Sequence, residues 1–142
     1  MSNNERYIVF LGTGDHGAKK IIWAKKYGFR TISINQNKKS LSNKYADISY
    51  YLDSTNFKKI IKKLKNKKID YVISSNDFTI DTQSQILNFF KKKISDLEVD
   101  KINNKFYQKK IFKDIGVNFP SYNILNAKNS IDKKKINFPL II

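Results

Sequence analysis

Three glycines, Gly12, Gly14 and Gly17, stand at the spacing G-x-G-x-x-G in FLGTGDHGAKK (residues 10–20), directly after the apolar run from Tyr7 to Leu11. Between a strand and a helix, that spacing brings backbone amides and a helix N-terminus up to a phosphate. The chemistry it suggests is nucleotide binding, and three observations argue against a dinucleotide. A dinucleotide fold wants Asp or Glu at the tip of the second strand to hold the ribose hydroxyls. This sequence has Asn35 and Gln36 there, neutral amides without the charge assistance that strengthens such a bond. Asp15 lies inside the loop itself, where it is expected to cap the following helix and compete with a pyrophosphate for the same amides. No second βαβαβ unit follows to make the other half of a dinucleotide site. The glycines also have a purely structural reading: a tight turn at Gly12, close backbone approach at Gly14, and helix-on-strand packing at Gly17.

Other candidate chemistry is sparse. There are no cysteines, which excludes disulfides, thiolate nucleophiles and zinc–thiolate sites. His16 is the single histidine, so a histidine metal cluster is excluded; beside a crevice it could touch a polar substrate. Asp15, Asp77 and Asp81 sit on separate segments and do not make a metal set. No residue is assigned as catalytic.

The elements that position these residues follow from periodicity. Ile8 to Leu11 reads as a buried strand, followed by a helix from about His16 to Tyr27. Its buried stripe is expected to use Ala18, Ile21, Ile22 and Ala24, with Gly28 as the stop. FRTISIN is a second strand and ADISYYLD (46–53) a third. In NFKKIIKKLKNKK, residues Phe57, Ile60, Ile61 and Leu64 mark one helical face and lysines fill the rest. IDYVISS is a fourth strand, and a helix runs through Ile80, Ile86, Leu87, Phe89 and Phe90. Strands alternating with helices imply an open parallel α/β sheet. Its ligand crevice belongs beyond the carboxyl ends of the strands, where strand order reverses. With the first strand central, that places Gly12, Thr13, Gly14, Asp15 and His16 along one wall, with Asn35 nearby and Ser74, Ser75, Asn76 and Asp77 opposite. Further on, a helix is expected from about Asn104 to Ile115, stopped by Gly116. A strand through Tyr122, Ile124 and Leu125 follows, and INFPLII starts another.

The net charge of +16 invites a polyanion partner. Lysine, asparagine and isoleucine are enriched together, however, and the lysines fall on solvated helix faces, so nucleic acid is not the expected partner. No apolar run approaches the roughly 20 residues of a membrane span. The N-terminus lacks the basic and apolar blocks of a signal peptide. A cytoplasmic location is expected.

The order of segments resembles the N-terminal part of ATP-grasp enzymes, the group that includes carbamoyl-phosphate synthase large chains and biotin carboxylases. The strand–glycine-loop–helix at residues 7–28 begins the likeness. ADISYYLDSTNFKKI is similar to the family's A-D-x-x-Y-x-x-D segment before a helix, and KKIDYVISSND looks like the strand whose end faces substrate. NKFYQKKIFKDIGVNFPSY carries a lysine, a helix, a Gly-Val pair and a proline, as at the opening of the ATP-grasp domain. The resemblance implies a Rossmann-like pre-ATP-grasp domain over 1–98, with helices on both faces of its sheet. A linker helix and the first strands of a truncated ATP-grasp domain would occupy 99–142. It implies that Lys105 contacts the nucleotide, and that ATP and Mg²⁺ serve the full-length parent. The remaining nucleotide and metal ligands would lie beyond residue 142, leaving the fragment inactive alone. The expected function is the substrate-side domain of an ATP-dependent carboxylate–amine ligase. Its partners would be the rest of its own polypeptide and small carboxylate and amine substrates, with a homodimer compatible. The alternative is a free-standing Rossmann-like module for a nucleotide or nucleotide-sugar.

Overall fold

A computed structural model describes residues 5–92 and 104–120. The strands expected around Tyr122–Leu125 and in INFPLII lie outside the described residues, as does the boundary expected near residue 98. The chain divides into two compact units, Met1–Gln108 and Lys109–Ile142.

The first unit is built on four parallel strands, β1 (Arg6–Leu11), β2 (Arg30–Ile34), β3 (Ile48–Tyr50) and β4 (Lys68–Ser74), in the order β3-β2-β1-β4. The connections carry α1 (Ala18–Lys26), α2 (Leu41–Tyr45) and α3 (Phe57–Leu64), and α4 (Ile80–Phe89) follows β4. Short 3-10 turns at Asp15–Gly17 and Asp77–Thr79 lead into α1 and α4.

Side chains alternate across a strand, so β1 feeds two cores. Tyr7, Val9 and Leu11 pack with Ile32, Ile34 and Val72 against Ile60 and Leu64 of α3 and Ile86 of α4. Ile8 and Phe10 turn the other way, against Ile21 and Ala24 of α1. Helices therefore cover both faces of the sheet, which a parallel sheet requires. The α3 stripe is as expected, with Phe57 and Ile61 partly buried beside Ile60 and Leu64. On α1 the stripe is narrower. Ala18, Ile21 and Ala24 are buried but Ile22 is 43% exposed, because α1 meets only the Ile8–Phe10 strip of the sheet. Phe89 of α4 is likewise exposed, while Leu87 and Phe90 pack on the core.

Helix ends obey local chemistry. The amides of Gly28 and Phe29 close back on the carbonyls of Lys25 and Ala24 at 2.9 and 3.1 Å, a paired C-terminal cap. Helix α5 (Lys105–Asp114), described on its own, ends the same way, with Gly116 on Lys113 and Val117 on Phe112. No helix among the described residues is long and apolar enough to cross a membrane.

The β2–β3 connection differs from expectation. The segment before β3 forms the short helix α2, and β3 pairs only over Ile48–Tyr50 rather than through 46–53. The reason is a polar rather than apolar layer on one face of β2. Thr31 and Ser33 are fully buried there. Ser33 Oγ donates to Asn43 Oδ1 at 2.8 Å. The Asp47 carboxylate accepts from Thr31 N and Oγ1 at 2.8 and 2.7 Å and pairs with the Lys25 ammonium at 3.1 Å. The A-D-x-x-Y-x-x-D residues are thus structural: Asp47 ties β2 to β3, Tyr50 packs on the core, and Asp53 caps a turn through Thr55 N at 2.9 Å.

Burial works against the Asp47 charge, but the Thr31 hydrogen bonds and the Lys25 ammonium outweigh it and hold its pKa below the ordinary carboxylate value. A carboxyl with a depressed folded pKa contributes stability above its unfolded pKa, near about 3.9, and loses it as pH falls through the folded value. Asp47→Asn is therefore expected to lower the melting temperature at pH 7 and to leave a smaller acid-induced fall below about pH 4. Parallel melting–pH curves for the two proteins would show that Asp47 carries no such linkage.

Candidate functional site

Strand order reverses at β1, so the topological switch point lies between β1 and β4. The loops leaving these two strands meet there. Ser75 N donates to Leu11 O at 3.3 Å, extending the β1–β4 ladder. Thr13 Oγ1 and Ser75 Oγ share a hydrogen bond of 2.9 Å, and Asn76 Nδ2 donates to Gly12 O at 3.2 Å. Ser74 Oγ reaches Thr79 Oγ1 at 2.6 Å and Asn76 O at 2.7 Å, which stiffens the second loop. Gly12, Thr13, Ser74, Ser75 and Asn76 are thereby brought into one hydrogen-bonded wall. Beyond it, Asn76, Asp77, Phe78 and Asp81 line an open recess, with Phe78 85% exposed at its rim.

The glycines divide by role. Gly12 has a φ of +59°, and a Cβ there would come within 2.5 Å of Asn76 Nδ2. Only glycine combines that left-handed backbone with the approach of the second loop. At Gly17 a Cβ would lie 1.8 Å from Thr13 Cγ2, so this glycine serves packing inside its own loop rather than helix on strand. Gly14 faces open space: among the described residues, none beyond its chain neighbours has an atom within 4 Å of its Cβ position. Its small size therefore matters to nothing inside the described protein.

Asp15 departs from expectation. Neither the 3-10 turn nor α1 has a side-chain cap. Asp15 Oδ1 instead accepts from Leu41 N at 2.8 Å and Ser40 Oγ at 3.2 Å, capping α2, which lies 26 residues further along the chain. The carboxylate is drawn to α2 because the N-cap hydroxyl of that helix, Ser40, makes no bond to the helix amides. It does not compete for the amides at the start of α1.

Asn35, expected in the crevice, is turned inward. Its Nδ2 donates to Thr13 O at 2.6 Å and its Oδ1 accepts from Asn37 N at 2.9 Å. Ser42 Oγ also donates to Thr13 O, and Ser40 Oγ approaches the same carbonyl at 3.5 Å. Ser40, Ser42 and Thr79, all buried, are the supporting residues that sequence reading missed. Ser40 alone carried a signal, being a residue type favoured at a helix N-cap.

His16 and Asp77 are exposed on the two loops, and Lys105 is an exposed first residue of α5. Among the described residues no group of three or more His, Cys, Asp or Glu side chains is placed to hold a metal ion. The described residues therefore do not fit a resident metal, and none is given a metal-binding role.

No family model matches the chain, and no curated protein matches it by sequence. Solved structures do. An N5-carboxyaminoimidazole ribonucleotide synthetase from Thermotoga maritima aligns with a TM-score of 0.64 at 23% identity, over 85% of this chain and 33% of that one. A phosphoribosylglycinamide synthetase from Anaerococcus prevotii aligns with a TM-score of 0.60 at 24% identity, over 80% and 30%. An ADP complex of another N5-carboxyaminoimidazole ribonucleotide synthetase gives 0.61 at 21% identity, over 79% and 29%. This chain thus spans about a third of the length of those structures. At these identities the likeness is one of fold. The parallel sheet with its glycine loop and flanking helices thus has a fold that it shares with part of each of these synthetases.

Proposed function

We propose that this chain is the substrate-side, N-terminal part of an ATP-dependent carboxylate–amine ligase. The observation that carries the reading is the wall at the β1–β4 switch point. It is a glycine loop zipped to the loop after β4, in a fold shared with synthetases of which one is an ADP complex. In such enzymes ATP and Mg²⁺ serve to activate a carboxylate for attack by an amine. The work of this chain's own residues is to bind and orient the small substrates.

Gly14 gives the substrate close access to the loop backbone, since among the described residues none beyond its chain neighbours comes within 4 Å of its Cβ position. His16 and Asp77, exposed on facing loops, supply polar contacts from either side. Gly12, Thr13, Ser74, Ser75, Asn76 and Asp15 act behind them, since their polar atoms are spent on holding the loops. Lys105 contributes to the nucleotide, whose remaining ligands come from polypeptide beyond Ile142. The chain alone then has no ATP-dependent activity, and its main partner is the rest of its own polypeptide.

The test is a reading frame and an assay. The coding sequence is expected to continue past Ile142 into a strand carrying Lys-Pro; a stop codon there sinks the proposal. In the longer protein, Gly14→Val is expected to raise the KM for carboxylate or amine substrate at least tenfold. The melting temperature should stay within about 2 °C, because a Cβ at this position has no described neighbour within 4 Å beyond the adjoining residues. An unchanged KM would remove Gly14 from the substrate wall.

A further inference from the structure

We propose that Asn35 is a positioning residue that sets the conformation of the glycine loop, acting through the Thr13 carbonyl rather than on any ligand. Its role in the ligase rests on the reading of residues 12–17 as one wall of the substrate crevice.

The argument starts from the inventory of an asparagine side chain, which offers one acceptor oxygen and two amide protons. Here the oxygen takes the Asn37 amide at 2.9 Å and the nitrogen donates to Thr13 O at 2.6 Å. The tip of β2 is where nucleotide-binding α/β folds keep an acid for a ribose. In this chain that position is turned onto the glycine loop instead. Thr13 is the hinge of the arrangement. Its carbonyl is gripped from the β2–α2 side by Asn35 and Ser42, and its hydroxyl from the β4 side by Ser75 at 2.9 Å. With Thr13 held from both sides, Gly14 O is placed to accept from Gly17 N at 3.0 Å, and Asp15 to accept from Leu41 N at 2.8 Å. Neither of those bonds involves Asn35 directly, yet both depend on where Thr13 points. An aspartate at this position would keep the bond from Asn37 and set an acceptor against the Thr13 carbonyl, breaking one interaction and sparing the other.

Amide hydrogen exchange on the whole chain tests this. In Asn35→Asp the amides of Gly17 and Leu41 are expected to lose at least tenfold protection. Those of the β1–β2 ladder should stay within about threefold, because local opening does not require global unfolding. Ser42→Ala, which removes the other strong donor to the same carbonyl, is expected to move the same two amides in the same direction. Unchanged protection of Gly17 and Leu41 in Asn35→Asp overturns the proposal. So does an equal loss in the ladder, which would make Asn35 a general stabiliser. If Asn35→Asp does not fold, Ser42→Ala decides by the same two amides against the same ladder. These readouts report the loop whether or not it faces a substrate, whereas the Gly14→Val assay fails only if the crevice reading itself is wrong.

Discussion

Gly17→Ala is expected to destabilise the sheet unit by about 3 kcal/mol, at the upper end of what one added methyl costs in a packed site. On backbone grounds alone the change should help. Gly17 has a φ of −81°, which alanine adopts freely, and alanine has less backbone entropy to lose on folding. The sign reverses because the new Cβ would sit 1.8 Å from Thr13 Cγ2. Thr13 has little room to yield, being fully buried with its hydroxyl on Ser75 and its carbonyl on Asn35 and Ser42. Chemical denaturation followed by circular dichroism measures the loss. Thr13→Ser removes the offending methyl and keeps the hydroxyl, at a cost of about 0.8 kcal/mol for the lost burial. The double variant is therefore expected to be more stable than Gly17→Ala alone, a non-additivity that a methyl contact predicts and a backbone effect does not. Strict additivity would place the cost elsewhere. Gly14→Ala, three residues away and facing open space, is the control.

The second large effect is expected at the other end of β1. The β1–β4 register slips between Tyr7 and Ile8, where Tyr7 pairs with Ile69 and Ile8 with Tyr71. Asp70 is the bulged residue, left without a partner on β1, and its carboxylate is only 6% exposed. Arg6 bonds it directly, and Lys92 Nζ lies 3.7 Å away. The two cations are about half exposed and the anion is not, so the two sides of this pair are not equivalent. Arg6→Met leaves a buried carboxylate with one distant counter-ion, and is expected to cost about 3 kcal/mol, the scale of a broken buried pair. Methionine keeps an unbranched apolar side chain of similar length but gives up the guanidinium that sits 5.7 Å over the Phe29 ring. Asp70→Asn leaves two cations that rehydrate in place, and is expected to cost about 1 kcal/mol. A larger loss in Asp70→Asn than in Arg6→Met, read from unfolding curves at pH 7, would show that the carboxylate is not held by its charges.

These two sites also mark the limit of what a single sequence conveys. The apolar stripe of α3, the alternation of strand and helix, and the glycine ends of α1 and α5 were all legible. The meeting of the loops after β1 and β4 followed from the sequence only on the condition that β1 is central, which the strand order of the structure supplies. Each depends on residues within a few positions of one another, where side-chain period and backbone sterics decide. Local capping rules point Asp15 to α1 because they see only the nearest amides, whereas its partner Leu41 is adjacent only once β2 has folded back. The bond from Asn35 to the Thr13 carbonyl is equally invisible to local rules, because that carbonyl belongs to another strand's loop.

The sequence by itself determined an open parallel α/β sheet, the lysine-solvated helix α3 and the glycine loop after β1, because periodicity, caps and glycine positions act locally. Only the tertiary structure decided which polar side chains remain available to a ligand. Strand register, the bulge at Asp70 and the turn of α2 bring donors and acceptors together across 20 to 60 residues, and a hydrogen bond at that range is set by geometry that no local propensity encodes.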